Sequence, residues 1–318
     1  MDSTATDRFD TSRFEASRNR LASLAYRLLG SAADAEDAVQ DAFLHWQAAD
    51  RQLIKVPEAW LTKVVTNLCL DRLRSAQARR ERTVGAWLPE PLLDGDPMAG
   101  PADTFEQRES VSLAVLTLME RLSPLERAVY VLREAFSHSH AEIAEILDIT
   151  ESASQQHLHR ARRRITDARR GGEVDPASAR RIVEEFLAAA SSGRTERLVA
   201  LLTDDATAIS DSNHAGPART LLRYDTPQRI AAVAQAGFTT APSKRRLVGG
   251  TPAIHYALVN CAPAILFVIG DQVIGAVTFD ITGDKIATVR GIASPTRLVR
   301  LTEAWRQHGP DTPMVTQW

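Results

Sequence analysis

The chain has 318 residues, with 38 Lys and Arg against 40 Asp and Glu, a formal net charge of -2 and 44% hydrophobic residues. This length allows two or three domains. Near-neutrality excludes a uniformly basic, adhesive protein, so any anionic partner has to be met by local clusters. Two such clusters exist: Arg72, Arg74, Arg79, Arg80 and Arg82 in one segment, and Arg160, Arg162, Arg163, Arg164, Arg169 and Arg170 in another. Cys69 and Cys261 are far apart and have no CxxC partner, which suits a reducing compartment and argues against a disulfide scaffold or a zinc site. The start, MDSTATDRFD, lacks the basic-then-apolar pattern of a signal peptide. The longest apolar run, AILFVIG, is far shorter than the ~20 residues that span a bilayer. A cytoplasmic protein with no membrane partner is expected.

In chain order, residues 13–30 read as a helix with Phe14, Leu21, Leu24, Ala25, Leu28 and Leu29 on one stripe and Gly30 closing it. SAADAEDAVQDAFLHWQAA is a second helix, with Ser31 as cap and acids in its first turn, as the helix dipole favours. RQLIKVP is a short loop. EAWLTKVVTNLCLDRLRSAQARRER is a third helix, with Trp60, Leu61, Val64, Val65, Leu68 and Leu73 inward and arginines at its end. Trp46 and Trp60 are read as core. The stretch AWLPEPLLDGDP follows, rich in proline and acid.

Helices resume at TFEQRESVSLAVLTLMERL. PLERAVYVLREAF begins after Ser123 as cap, with Pro124 at its first position. Residues 139–165 form a unit: a short helix with Ile143, Ala144 and Leu147 inward, a tight turn to Thr150, and a longer helix, ESASQQHLHRARRRITDARR. Short helix, turn and long helix describe a helix-turn-helix. On the second helix Leu158, Ala161 and Ile165 fall on one side. Ser152, Gln156, His159, Arg160 and Arg163 lie roughly opposite, with Gln155 flanking. About 14 residues at 1.5 Å each span ~21 Å, enough to lie along a major groove. Small polar groups at the amino end suit base edges, and arginines toward the carboxyl end suit phosphates. His157 and His159, at i and i+2, point to different faces and make no metal pair. Ser154 stands where an apolar residue would pack better.

After GGEVDP the character changes. Two helices, ASARRIVEEFLAAASSG and RTERLVALL, precede strand-like runs ATAIS, RRLVGG, AIHYALV, AILFVIG, QVIGAVTFDI and KIATVRGI, with a hairpin signal at Gly283-Asp284. The order argues for an α+β domain. Asp211, His214, His255 and Tyr256 are the polar candidates for a pocket there, with nothing to fix their mutual geometry.

The first block, DAEDAVQDAF followed by AWLTKVVTNLCLDRLRSAQARR, closely resembles region 2 of the extracytoplasmic-function (group IV) sigma factors of bacterial RNA polymerase. YVLREAFSHSHAEIAEILDITESASQQHLHRARRRI resembles their region 4. The resemblance covers about the first 170 residues. It implies that Asp34, Glu36, Asp37, Gln40, Asp41 and Phe43 meet the β′ clamp of core polymerase. It implies that Asn67, Arg72 and Arg74, with the loop 52–57, meet the −10 element. It places Ser152, Gln155, Gln156, His159, Arg160 and Arg163 on the −35 element, and adds the β flap to the partners. WLPEP and an α+β extension resemble a SigJ-like subgroup with a SnoaL-like C-terminal domain that regulates the factor in cis. There Trp87, Leu88 and Pro89 would latch the linker. The subgroup's DGGGK is replaced here by SDSNHAG, and its NPDKL by SPTRL (294–298).

The expected fold is therefore multi-domain: two all-α sigma modules, regions 2 and 4, the latter a helix-turn-helix, then an α+β cone domain. The boundaries read as 1–83 for region 2, 84–104 for the linker, 105–171 for region 4, 172–300 for the SnoaL-like domain and 301–318 for a C-terminal tail. The expected function is a sigma factor with no catalytic residues, metal or cofactor, and with a small ligand or an anti-sigma factor as further partners. The alternative is a helix-turn-helix regulator fused to a ligand-binding or cyclase-like domain.

Overall fold

The computed structural model describes residues 3–80, 88–100, 104–166, 174–211, 221–239, 245–246, 248–308, 312–316 and 318. By contact the chain separates into two units: Met1–Val84 with Gly95–Ala168, and Gly85–Asp94 with Arg169–Trp318.

The first unit is helical: α1 (Ser3–Leu29), α2 (Ala32–Ala48), α3 (Pro57–Arg80), α4 (Phe105–Val111), α5 (Leu113–Met119), α6 (Pro124–Glu134), α7 (His140–Leu147) and α8 (Glu151–Thr166). Local chemistry sets its boundaries. The Ser31 hydroxyl accepts from the Asp34 amide at 3.2 Å and starts α2. Ser123 with Glu126, and Ser139 with Glu142, form reciprocal capping boxes that start α6 and α7. Asp148, left-handed at φ 54°, ends α7, and Thr150 caps α8 through the Ala153 amide at 3.1 Å.

Two buried arginines tie the amino-terminal helices to the later ones. Arg27, with no exposed surface, donates to the Ser110 hydroxyl at 2.9 Å and to the Ser23 hydroxyl. Arg127 donates to the carbonyls of Leu28 (2.9 Å) and Met119 (3.0 Å) and pairs with Glu120 at 2.8 Å. Leu28 lies in the last turn of α1, whose carbonyls lack helical partners, so Arg127 supplies what the helix end needs. Burial lowers the Arg127 pKa to about 10, which leaves it charged.

The second unit contains α9 (Pro176–Ser191), α10 (Thr195–Ala200), β1 (Leu202–Asp211), β2 (Leu221–Tyr224), α11 (Pro227–Phe238), β3 (Ala253–Val259), β4 (Ala262–Ile269), β5 (Gln272–Thr282), β6 (Lys285–Ile292) and α12 (Val299–His308). Its sheet runs β2-β1-β6-β5-β4-β3, antiparallel except for the parallel β1–β6 pair. One face packs on α9 and α11 through Val183, Phe186, Ile230, Ile254, Ile265 and Phe279. Residues 245–250, which read as a strand, are not one. Arg245, Arg246 and Val248 are helical, and the Gly250 amide donates to the Arg245 carbonyl at 2.9 Å. The Gly249-Gly250 pair, with Gly249 at φ +78°, closes a helical turn where apolar content had implied extension. The tail beyond residue 300 carries most of α12, and its last segment bonds to Ile254.

Candidate nucleic-acid interface

Each surface is built from its helix. On α2, Ala32, Ala35, Ala38, Val39, Ala42 and Trp46 face the core. That leaves Asp34, Glu36, Asp37 and Gln40 exposed on the other side. Two of the six residues expected on this surface are turned partly inward. Phe43 is half-buried with its ring 4.8 Å from that of Phe14, and the Asp41 carboxylate accepts from Arg72 at 2.7 Å. Leu44, absent from the sequence reading, is an exposed apolar residue on this helix.

On α3, Asn67, Asp71 and Arg74 are exposed at helical spacing, and Arg74 pairs with Asp71 at 3.1 Å. Arg72 faces α2, donating to Asp41 and to the Asp34 carbonyl at 2.7 Å. Trp60 is half-buried, its ring 5.7 Å from that of the buried Trp46. The loop ahead of α3, residues 52–57, which the resemblance set against the −10 element, carries two exposed apolar side chains. Leu53 and Val56 are 78% and 59% exposed. With Ile54, Ala59, Trp60 and Glu145 they line a shallow open groove. A lone exposed Leu is ordinary, but Leu53 and Val56 join this groove as one exposed apolar patch, which is informative.

The helix-turn-helix is α7 and α8. Leu158, Ala161 and Ile165 are buried, while Ser152, Gln155, Gln156, His159, Arg160 and Arg163 are all exposed. Ser154 is fully buried, and its hydroxyl lies 2.8 Å from His140 Nδ1. A bond across the hairpin explains a polar residue on the packing face. The basic end of α8 is anchored on α6: Arg164 and Arg160 reach Glu126 at 2.6 and 3.4 Å, and Arg162 reaches Glu134 at 2.7 Å.

In the second unit the linker adds to the sheet. Leu88, Leu92 and Leu93 are buried, and Pro89 is buried beside them. Trp87 lies outside the described residues. Leu93 bridges Val259 on the free edge of β3, and the Asp94 amide donates to the Leu258 carbonyl at 2.9 Å. Asn260 holds Leu92 twice: its side-chain oxygen accepts from the Leu92 amide at 2.8 Å, and its amide donates to the Leu92 carbonyl at 2.9 Å.

The polar pocket candidates do not assemble. His255 and Tyr256 are consecutive on β3 and project to opposite faces. His255 packs edge-on against Trp305, ring centroids 4.8 Å apart. His214 lies outside the described residues. Asp211 accepts from the amides of Ala293 (2.5 Å) and Ser294 (3.3 Å) and lies 3.8 Å from Arg297. Burial raises its pKa, and the amides and Arg297 oppose the rise. Asp211, at the start of SDSNHAG, thus meets Ser294 and Arg297 of SPTRL. Among the described residues, no group of three or more His, Cys, Asp or Glu is placed to hold a metal ion. No helix in them is long and apolar enough to cross a membrane.

Taken together, a helix-turn-helix with an amide-rich, basic outer face and an acidic helix beside an apolar-loop groove define a DNA-binding transcription factor. Residues 13–79 match the Sigma-70 region 2 family and residues 112–165 the Sigma-70 region 4 family. The chain is 42% identical over 210 residues to the ECF RNA polymerase sigma factor SigJ of Mycobacterium tuberculosis (strain ATCC 25618 / H37Rv), covering 65% of this chain and 67% of that protein. It is 32% identical over 299 residues to the probable ECF RNA polymerase sigma factor SigI of the same strain, covering 90% of this chain and 93% of that one. The crystal structure of M. tuberculosis SigJ superposes with a TM-score of 0.68 at 31% identity, over 91% of this chain and 98% of that chain. The chain belongs to the ECF RNA polymerase sigma factors. Its function is that of a sigma factor, with a C-terminal α+β extension that fits a SnoaL-like domain.

Proposed function

We propose that Asp34, Glu36, Asp37 and Gln40, flanked by Asp41, Phe43 and Leu44, dock this factor on the β′ clamp of core polymerase. Asn67, Arg72 and Arg74, with the groove behind Leu53 and Val56, engage the −10 element. The outer face of α8 reads the −35 element: Ser152, Gln155, Gln156 and His159 toward bases, Arg160 and Arg163 toward phosphate. The β flap is a further partner of the helix-turn-helix region. The factor works in the cytoplasm, catalyses nothing itself and is regulated in cis by its extension, with Leu88 and Pro89 in the linker as the latch. An anti-sigma factor or a small ligand acts on the same control.

The observation that carries this reading is the outer face of α8. Six residues expected to contact DNA are all exposed while their apolar neighbours are buried, which is the division a recognition helix needs. The experiment is run-off transcription with purified core enzyme, with and without Arg160→Ala. Wild type is expected to give promoter-dependent transcripts. Arg160→Ala is expected to weaken binding across sequences and to lower the salt slope by about one. A chain with no affinity for core polymerase would overturn the proposal.

A further inference from the structure

Lys63 on α3 stands on the face proposed to meet the −10 element, yet its partner is the helix-turn-helix. Helical spacing puts Asn67 and Arg74 on the same face as Lys63. Trp60, one turn earlier, lines the groove behind Leu53. The cations on or beside this face are each held by an acid. Asp71 holds Arg74 at 3.1 Å and Asp41 holds Arg72 at 2.7 Å, both from within α2 and α3. Lys63 differs. Its ammonium donates to Asp148 Oδ1 at 2.8 Å and to the Glu145 carbonyl at 2.9 Å, 85 and 82 positions away.

The carboxyl end of α7 is suited to hold a cation. Glu145 lies in the last turn, whose carbonyls lack helical partners and carry the negative end of the helix dipole. Asp148, left-handed at φ 54°, adds a carboxylate just beyond it. Glu142, Glu145 and Asp148 recur at every third residue and so form a row of acids along one side of α7. Two acceptor oxygens with one negative charge between them are what a single phosphodiester of a DNA strand offers an ammonium. The contact is no structural clamp. The side chains of Lys63 and Asp148 are 39% and 78% exposed, so the pair adds little to folding and yields to a competing polyanion.

We propose that Lys63 is a phosphate contact for the opened promoter strand, and that the end of α7 occupies it in the free chain as an internal stand-in for that phosphate. The inference rests on the assignment of α3 to the −10 element, and adds a residue and a gate to it. Arg74 and Arg72 keep their acids whether or not the helix-turn-helix moves, because Asp71 and Asp41 travel with them. Lys63 loses its acid only when α7 leaves α3. Its charge therefore becomes available when the promoter strand arrives, and a stray single strand that meets the free chain finds it taken.

The test compares the full-length wild type with Lys63→Gln, Lys63→Arg and Asp148→Asn, the last keeping a residue type that tolerates the left-handed backbone. In holoenzyme on a promoter that it transcribes, Lys63→Gln is expected to lower the slope of log affinity against log salt by about 0.7, the share of one single-strand phosphate. Lys63→Arg is expected to keep the slope, and so is Asp148→Asn, whose site is then remote from Lys63. In the free chain, titrated with a fluorescent single-stranded oligonucleotide, Asp148→Asn is expected to bind about threefold more tightly than wild type. That gain is expected to vanish when Lys63→Gln is also present. No gain, or a gain that persists without Lys63, overturns the stand-in, and an unchanged slope for Lys63→Gln overturns the contact. Arg74→Ala separates this inference from the reading beneath it. A slope lowered by Arg74→Ala but not by Lys63→Gln sinks the Lys63 proposal alone. A slope lowered by neither shows that this face of α3 does not meet DNA, and sinks both.

Discussion

Cys69 and Cys261 look alike in the sequence, each a lone thiol among apolar neighbours, yet their settings differ. Cys69 is completely buried on α3, and burial pushes its thiol up to about 12. Cys261 is partly exposed and sits at φ +61° in the two-residue turn between β3 and β4. Thiol reactivity follows the thiolate fraction and access. Iodoacetamide at pH 8 is therefore expected to alkylate Cys261 in the native chain and to spare Cys69 until denaturant is added, as mass spectrometry of peptides would read. Equal labelling of both would mean that α3 is not packed as described. The same contrast governs what could be read residue by residue. Exposure of the α8 polar face follows from helical spacing, so Gln155, Gln156 and His159 were legible. The inward turn of Arg72 toward Asp41, 31 positions away, was not, because spacing assigns a face and not a partner. Ser154 was recognised as out of place, but its reason, His140 across the turn, is tertiary.

Elements whose ends carry their own chemistry were readable: Ser31, Ser123 and Thr150 each cap a helix within three residues of themselves. The linker was not readable in the same way. LLDGDP contains nothing that marks it as a strand, and its partner Asn260 is 168 positions away. Asn260 and Cys261, left-handed at φ 51° and 61°, form the tight turn that turns the Asn260 side chain toward the linker. Two changes separate the contributions. Leu92→Ala empties a fully buried site and is expected to cost about 3 kcal/mol. Asn260→Gly keeps the left-handed backbone and removes one acceptor, at about 1 kcal/mol. The double variant is expected to lose less than the sum, because an undocked linker no longer uses Asn260. Denaturant unfolding of the three variants measures this. Strict additivity would show that side chain and strand act independently, and that the linker is not held as one clasp.

At the scale of the helical unit, both helices proposed to face DNA, α3 and α8, belong to one compact body. Lys63 on α3 donates to the Glu145 carbonyl of α7 at 2.9 Å and pairs with Asp148 at 2.8 Å. Glu145 itself lines the groove behind Leu53, so the helix-turn-helix stands beside the surface assigned to the −10 element. A compact unit of this size is about 40 Å across. The −10 and −35 elements lie about 25 base pairs apart, about 85 Å at 3.4 Å per pair. If α3 and α8 meet these two elements as proposed, one closed body cannot touch both, and the packing of α6 and α7 on α1 and α3 is expected to open on the promoter. The joint is suited to opening. The Lys63–Asp148 pair is exposed and contributes little. Arg27 and Arg127 are charges whose burial is compensated by hydrogen bonds and which regain hydration on separation. With fluorophores on Glu15→Cys and Ala141→Cys, in a Cys261→Ser background, the free chain is expected to give efficient energy transfer. Core polymerase with promoter DNA is expected to abolish most of it, as the labels move apart by tens of ångströms. Transfer that stays high in a transcribing complex would show that the closed unit binds as it is, and would refute the assignment of α3 to one element and α8 to the other.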